Sequence, residues 1–389
     1  MMNAPAHLEL PFFESPHRDL ASRLFTWTER NRHLLEADEH DVENATRRIT
    51  SALGAAGWLQ YLLPEKWGGA RPALDVRSLC LIRETLATYS GIADCAMAIQ
   101  GLGSVPIALF GTDVLRQRYL PGILSGARLG AFALSEPDSG SDVAAMHTSA
   151  RAEGDVFVLR GAKAWISNAG IADHYVVFAQ TGQTGDAKGV AAFVIDAGTP
   201  GFAITDRPQI IAPHAIGTLV FDDCRVPASS LLGQPGDGFR IAMSTLDIFR
   251  PSVGAAALGL ARRALSETLD RVARREVFGR TLAEFQATQM RLADMAVDID
   301  AAALLVYRAA WAKDTQDRRV TLESAVAKLH ATEAAQRVID SAVQLFGGLG
   351  VTIGSTVERL YREIRPLRIY EGTSEIQKII IARQLLEKR

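Results

Sequence analysis

The sequence predicts an α+β protein that is mainly helical, with its strands confined to a middle segment. Apolar residues recur at helical spacing up to about residue 128, short β-branched and aromatic runs follow, and helical spacing then returns. We therefore expect an N-terminal helical domain over 1–128, a β-domain over 129–232 and a C-terminal helical domain over 233–389.

The N-terminal helices are predicted from apolar residues spaced three or four apart. Two triplets show this spacing: Leu20, Leu24 and Trp27, then Leu79, Ile82 and Leu86. Breaks rich in Gly and Pro, PEKWGGARP and LPG, separate the helical segments.

The middle segment contains the runs VFVLRG, HYVVFAQT, GVAAFVID and GTLVFDDCRV, divided by turn-forming residues. Several short strands at this spacing indicate a β-barrel or a β-sandwich.

In the C-terminal segment, long helices are expected to pack as an antiparallel bundle. The first should present one apolar face and a charged opposite face, and two more are predicted over 284–313 and 322–345. The apolar face is predicted to consist of Leu258, Leu265, Leu269 and Val272.

Charge and composition exclude several functions. The net charge is −2 with both signs scattered, so no basic stripe is available for nucleic acid. The three cysteines are widely spaced and odd in number, which favours reduced thiols in the cytoplasm. The chain does not open with a cationic segment and an apolar run, and the apolar stretch over 301–312 is too short to span a membrane. We expect a soluble cytoplasmic protein.

Common catalytic signatures are missing from the sequence. The eight histidines never show HxxxH or HExxH spacing, so no metal site is predicted. A GxSxG elbow and a GxxxxGK[ST] loop are also absent, which argues against serine acyl transfer and P-loop phosphoryl chemistry.

Four segments have a structural interpretation, and the first two also have a functional one. FALSEPDSGSD, at 132–142, is a turn-rich loop whose N–H groups could hold a phosphate or flavin edge. KAWISNAG places Trp165 either in the core or against a flat cofactor. ARREVFG ends a helix with basic residues. FGGLGVTIG lacks the spacing and the preceding strand of a dinucleotide fingerprint, which indicates a loop between helices.

RIYEGTSEIQ, at 368–377, poses the main question about function. Ser374 and Gln377 have capping-box spacing, so a helix is predicted to start at Ser374. Glu371 then precedes unsatisfied helix N–H groups. Locally it can be read as a partner of the helix dipole or as a catalytic carboxylate.

Together and in this order, these segments resemble the acyl-CoA dehydrogenase family along nearly the whole chain. The resemblance implies a C-terminal four-helix bundle, non-covalent FAD, and a homotetramer or homodimer in which one subunit completes its neighbour's flavin site. By similarity, the FAD contacts fall on Phe132, Ala133, Leu134, Ser135, Gly140, Ser141, Trp165, Ile166, Ser167, Arg275, Phe278, Gln286, Gln344, Leu345, Phe346, Gly347, Gly348, Thr373, Ser374 and Glu375.

The resemblance also implies a reaction. Glu371 would remove the α-proton of an acyl-CoA thioester while flavin N5 takes the β-hydride, giving a trans-2-enoyl-CoA and passing electrons to an electron-transferring flavoprotein. Some relatives carry the base at an earlier position, which is Phe249 here. The substrate contacts implied by similarity are Ser141, Asp247, Arg250 and Gly372, although Arg250 could equally be a structural ion-pair partner.

Alternatives remain within the same fold. An acyl-CoA oxidase shares the need for a base, whereas a flavin monooxygenase does not. A nucleic-acid-binding member of the family would need a basic patch. Residues 89–100 contain no arginine, which favours an uncharged acyl chain over a dicarboxylyl one. Chain length and branching stay open.

Overall fold

The structure is a computed structural model that describes residues 6–36, 39–182, 185–316 and 318–387. It forms two compact units, each made of separate chain segments. The first unit comprises Met1–Glu36, Asp75–Asp94 and Asp247–Arg389, and the second comprises Ala37–Leu74 and Cys95–Leu246. The domain boundaries given above stay predictions.

The helices confirm a helical N-terminal segment and a helical C-terminal segment. Their bounds are α1 Ser15–Arg30, α2 Arg32–Leu35, α3 Val42–Ala55, α4 Val76–Tyr89, α5 Gly91–Phe110, α6 Asp113–Leu124, α7 Gly238–Arg274, α8 Gln286–Thr315, α9 Thr321–Phe346, α10 Thr356–Leu367 and α11 Ser374–Leu386.

In the first unit, α9 is the central element because it packs against α8, α10 and α11. Its buried positions are mostly alanines, which allow the neighbouring helices to approach closely. Within the same unit, α7 approaches α4 at Gly259, where a β-carbon would lie 2.1 Å from the Glu84 carbonyl oxygen. The tight spacing therefore depends on small residues.

The predicted apolar face of α7 is only partly correct. Leu258 and Val272 are buried, but Leu269 is 48% exposed. Ala261, Ala264 and Thr268 lie inside instead. The prediction was based on the bulky leucines. Close packing of the helices instead buries the positions that carry smaller side chains.

In the second unit, the predicted β-domain is confirmed as an eight-stranded mixed sheet in the order β6-β7-β3-β2-β4-β5-β8, with β1 paired to β4. Its strands are β1 Gly130–Ala133, β2 Ser149–Glu153, β3 Val156–Ser167, β4 His174–Gln180, β5 Val190–Asp196, β6 Phe202–Asp206, β7 Ile216–Pro227 and β8 Leu231–Leu232. Side chains from β1 to β7 share one buried core. A separate two-stranded hairpin joins β9 Glu276–Val277 to β10 Arg280–Thr281.

Among the described residues, one helix, α5, is long and apolar enough to cross a membrane by length and composition alone. It is longer than the run over 301–312 that the sequence singled out. Because 89% of its most apolar window is buried, α5 has the environment of a core helix.

Candidate active site

Glu371 lies in the short loop between α10 and α11, in a backbone conformation that non-glycine residues rarely adopt. Its φ is +54°, and that of Gly372 is +93°. A β-carbon on Gly372 would lie 2.5 Å from Gln377 Nε2, so both the backbone and the available space require glycine. Strain of this kind persists where the surrounding structure fixes it, and it is common at functional sites.

The predicted helix start at Ser374 is confirmed, but the predicted capping box is wrong. Thr373 is the N-cap residue, and its hydroxyl accepts a hydrogen bond from the Ile376 N–H at 3.3 Å. Ser374 is already in the helix, and its hydroxyl donates to Glu333 at 2.5 Å. The Gln377 amide instead donates to the Gly372 carbonyl at 3.0 Å. An N-cap needs a non-helical backbone, which Thr373 has and Ser374 does not.

Glu371 is half-buried as a residue, and its carboxyl oxygen Oε2 is buried without a hydrogen-bond partner among the described residues. Burial raises its pKa, and the positive charges of Arg83, Lys328 and Arg250 oppose that rise. Asp94 adds to the rise. An uncommitted carboxylate with a raised pKa is suited to accept a proton from a substrate.

Arg83 and Asp94 form a buried bidentate ion pair in the first unit. Arg83 Nε and Nη2 donate to the two Asp94 oxygens at 2.7 and 2.8 Å, and Nη1 donates to Ser252 Oγ at 2.8 Å. Sequence reasoning missed this pair. A usable signal was present, since Arg83 falls within the apolar stripe of Leu79, Ile82 and Leu86.

The structure is compatible with both predicted roles of Arg250, as a substrate contact and as a structural ion-pair partner. Its Nη1 donates to Asp247 at 2.7 Å, which makes it an ion-pair partner, while its buried Nε has no acceptor in the described structure. Phe249 beside it is 1% exposed, so the alternative base position holds a core side chain.

A cavity of about 390 Å³ in the first unit brings together two segments that the sequence predicted to bind FAD. Arg275 of one segment and Gln344, Leu345, Phe346, Gly347 and Gly348 of the other line it, together with Arg271, Val277, Leu282 and Leu349. The predicted loop between helices is confirmed, with a 3₁₀ turn over Gly347–Val351. Phe278 and Gln286 do not line the cavity.

Phe278 and Gln286 lie close in sequence to Arg275, Val277 and Leu282, which line the cavity. Phe278 is 97% exposed at the tip of the β9–β10 hairpin, where it and Gly279 both have positive φ. An aromatic side chain in that turn position is unusual, because such turns favour Asn, Asp or Gly. Gln286 is the first residue of α8 and is exposed.

In the second unit, the predicted flavin loop follows β1 and is anchored from inside by Lys163. The buried Lys163 ammonium donates to Glu136 at 2.7 Å and to the Leu134 carbonyl at 3.1 Å. The Ala164 N–H donates to the Ser135 carbonyl at 3.0 Å. Phe132 and Ala133 end β1, and Gly140 and Ser141 lie exposed farther along the loop.

Trp165 is not a core residue. It is 60% exposed and has a φ of +61° in a bulge of β3, where pairing with β7 shifts register between Lys163 and Ile166. The bulge turns its indole outward while Ile166 stays buried. Ser167 contacts His214 at 2.7 Å, and burial lowers the pKa of that histidine to about 4.

These residues fit a flavin dinucleotide. Arg271, which lines the cavity, has a buried Nε without an acceptor in the described part of the chain. A β-carbon at Gly347 or Gly348 would contact nothing within 4 Å, so a diphosphate has room to approach the backbone. In the second unit, the exposed indole of Trp165 offers a flat apolar surface.

The cavity can accept a flavin dinucleotide, and Glu371, whose Oε2 has no partner among the described residues, lies in the same unit. The family descriptions "Acyl-CoA dehydrogenase, N-terminal domain", "middle domain" and "C-terminal domain" match residues 18–127, 131–224 and 236–386. The chain belongs to the acyl-CoA dehydrogenase family, whose members are FAD-dependent.

Named relatives and solved structures agree with this assignment. The mitochondrial short-chain specific acyl-CoA dehydrogenase of Homo sapiens is 41% identical over 337 residues, which is 86% of this chain and 81% of that protein. Butyryl-CoA dehydrogenase of Megasphaera elsdenii superimposes with a TM-score of 0.86 at 34% identity, covering 96% of this chain and 99% of its own.

Two further solved structures resemble this chain over nearly its whole length. The FAD complex of PigA has a TM-score of 0.89 at 27% identity, covering 97% and 99% of the two chains. A chain from work on the electron transferring flavoprotein of Acidaminococcus fermentans has a TM-score of 0.86 at 36% identity, covering 96% and 98%.

Proposed function

We propose that this protein dehydrogenates a short, uncharged acyl-CoA to the trans-2-enoyl-CoA, with Glu371 as the base that removes the α-proton. The observation that carries the proposal is the buried Glu371 carboxyl, whose Oε2 has no partner in the described structure and whose pKa is raised by burial. FAD supplies the acceptor for the β-hydride at N5 when it is bound.

The loop geometry supports this role for Glu371. Its backbone N–H donates to no acceptor among the described residues, so it is available to hydrogen-bond the thioester oxygen. Such a hydrogen bond would stabilise the negative charge that develops there as the α-proton leaves. The backbone and side chain of one residue would thereby act on the same substrate.

The preference for a short acyl chain is supported by the short-chain and butyryl-CoA enzymes among the relatives. The preference for an uncharged chain is supported by the start of α5, because residues 89–100 contain no arginine that could pair with a terminal carboxylate. Asp247, Arg250, Gly372 and Ser141 stay the proposed substrate contacts.

We propose an electron-transferring flavoprotein as the electron acceptor and a homotetramer or homodimer as the assembly. Three exposed apolar side chains in and just after the Gly347–Val351 turn support association. Leu349, Val351 and Ile353 are 47%, 71% and 86% exposed in the single chain. Light scattering of the FAD-loaded protein tests the assembly, and a monomeric mass would contradict it.

Anaerobic flavin bleaching tests the reaction. Butyryl-CoA should bleach the bound FAD faster than octanoyl-CoA or glutaryl-CoA does. Glu371→Gln should keep yellow FAD and bind butyryl-CoA but lose bleaching by about 1,000-fold or more, since its only proton acceptor is gone. Bleaching of this variant at the wild-type rate would remove Glu371 from the mechanism.

Reoxidation of the reduced enzyme distinguishes the alternatives. Rapid reoxidation by the flavoprotein acceptor and slow reoxidation by oxygen would support a dehydrogenase. Fast reoxidation by oxygen would instead identify an acyl-CoA oxidase. If no thioester bleaches the flavin, both assignments fail.

A further inference from the structure

Lys328 occupies a core position of α9. Its side chain is fully buried, and it lies on the same stripe as the buried residues Ser324, Ala331 and Ala335. Lysine is almost never fully buried unless its ammonium group has a specific partner. The contacts of the Lys328 ammonium group should therefore explain why a lysine occupies this core position.

The partner is the loop that carries Glu371. Lys328 Nζ donates to the Gly372 carbonyl at 2.9 Å, and this is its one hydrogen bond in the described structure. Gln377 Nε2 donates to the same carbonyl at 3.0 Å. Two buried donors thus fix the Gly372–Thr373 peptide plane, one peptide beyond the one that follows Glu371.

The loop has a second anchor on α9. Glu333 accepts from Arg368 Nε at 2.9 Å and from Ser374 Oγ at 2.5 Å, which holds the two ends of the loop. Both anchors constrain the loop, but they carry opposite charges. This difference allows their mechanical and electrostatic effects to be separated.

The charged groups that act on Glu371 are Arg83, Asp94, Arg250 and Lys328, which come from α4, α5, α7 and α9. Arg83 of α4 is paired with Asp94, and Arg250 of α7 is paired with Asp247. Lys328 has no carboxylate within ion-pair distance among the described residues. Its charge interacts with Glu371 first and, more weakly, with Arg250, Glu333 and Glu375.

We propose that Lys328 is a positioning residue for the base, which orients Glu371 through the Gly372 carbonyl and keeps its carboxyl group ionised with a charge that no other carboxylate neutralises. This inference rests on the proposed role of Glu371 in the preceding subsection. It assigns to α9 a function beyond packing.

The direction of the pKa shifts agrees with the geometry. Burial raises the pKa of Glu371, and the charge of Lys328 is one of those that lower it. Burial lowers the pKa of Lys328 to about 8, and the charge of Glu371 opposes that change. Each group therefore favours the ionised form of the other.

Substitutions of Lys328 test this role in the FAD-loaded enzyme. Lys328→Met removes both the charge and the hydrogen bond, Lys328→Gln removes the charge but retains a donor, and Lys328→Arg retains the charge. The measurement is the rate of anaerobic flavin reduction by butyryl-CoA between pH 5 and 9, together with an infrared titration of the carboxyl band that Glu371→Gln abolishes.

We expect Lys328→Met and Lys328→Gln to move the acidic limb of the rate profile and the infrared midpoint upward by about one pH unit. Lys328→Arg should move them by less than half of that. Unchanged midpoints in both neutral variants would overturn the proposal. Because Gln can replace the donor, that variant remains informative if Met prevents folding.

Glu333→Gln is the matched control for a purely mechanical role. It removes the other anchor of the loop on the same helix, so we expect slower reduction without an upward shift of either midpoint. An upward shift equal to that of Lys328→Met would overturn the electrostatic role of Lys328. If Glu371→Gln bleaches normally, the proposed function fails; if it does not bleach and Lys328→Gln leaves the midpoints unchanged, only this inference fails.

Discussion

Two buried carboxylates of this protein, one in each unit, lie under the influence of a buried lysine and have opposite properties. Glu136 accepts from Lys163 at 2.7 Å, from the Thr148 N–H at 3.0 Å and from the His147 N–H at 2.6 Å. Glu371 leaves Oε2 without any partner in the described structure. Both carboxylates are removed from water, but only one is compensated.

The pKa shifts express this difference. Burial opposes ionisation of Glu136, but the Lys163 charge and the hydrogen bonds outweigh it and lower the pKa of that carboxyl. At Glu371 burial dominates and raises the pKa. A compensated carboxylate stabilises a loop, whereas an uncompensated one keeps its capacity to take a proton.

The strongest test of this comparison is Glu136→Gln. It should lower the free energy of unfolding by about 3 kcal/mol at pH 7, because Lys163 remains buried without its counter-charge. Urea denaturation of the FAD-loaded protein measures this loss.

The sign of its pH dependence follows from the lowered pKa. The stability that Glu136 contributes is present above the ordinary carboxyl pKa and is lost as the pH falls through its folded pKa, so the penalty should shrink in acid. Glu153→Gln, which breaks an exposed pair with Arg225, is the control and should change little. A small loss for Glu136→Gln would mean that Lys163 is adequately solvated.

A second test concerns the backbone that presents Glu371, the proposed base. Gly372→Ala should cost about 2 kcal/mol, since alanine is strained at a φ of +93° and its β-carbon would displace the buried Gln377 amide. Misplacing the carboxylate should also slow flavin reduction by about 100-fold.

Gly154→Ala separates these two causes. Gly154 has a φ of +63°, but a β-carbon there would meet nothing within 4 Å. The control should therefore show the backbone strain without the clash and should leave flavin reduction unchanged. Equal losses in both variants would show that the contact with Gln377 is unimportant.

The smallest expected effect has the opposite sign. Glu371→Gln should raise the free energy of unfolding of the substrate-free holoenzyme by about 1 kcal/mol at pH 7, because burial destabilises the ionised carboxylate by more than the charges of Arg83, Lys328 and Arg250 stabilise it. Since burial raises the folded pKa above the ordinary 4.5, the carboxyl favours folding below that value and disfavours it once ionised.

The gain from Glu371→Gln should thus disappear as the pH falls toward 4.5. Thermal denaturation from pH 4 to 8 measures it against the wild-type protein. A loss of stability at pH 7 would show that the Glu371 carboxylate is stabilised in the fold, as Glu136 is, and would remove the contrast between the two sites.

Much of the fold could be read from periodicity. The alternation of helical, β and helical segments was correct because 3.6-residue and 2-residue repeats are local properties of the chain. The position of Leu269 was wrong because the burial of a helix face depends on which neighbour packs against it. The capping box at Ser374 was wrong because spacing does not determine which of two adjacent hydroxyl residues has a non-helical backbone.

The residues of the candidate site were predicted only in part, because pairing and burial depend on which elements pack together. Glu371, Arg275 and the loop containing Gly347 could be identified by resemblance. Lys163 and Lys328 were missed, although each lies among apolar residues in the sequence and could have been noticed as a charge at a core position. Arg83 and Asp94 needed the packing of α4 beside α5 before their pairing could be seen.

By itself, the sequence determined the order of the elements and the family, and it singled out Glu371 as the candidate base, because these depend on local patterns and on motifs in register. Only the tertiary structure decided which buried charges face Glu371 and which carboxylate remains without a partner. The physical reason is that a pKa depends on distances and burial, and residues from α4, α7 and α9, far apart in the chain, jointly produce the environment of that one carboxyl group.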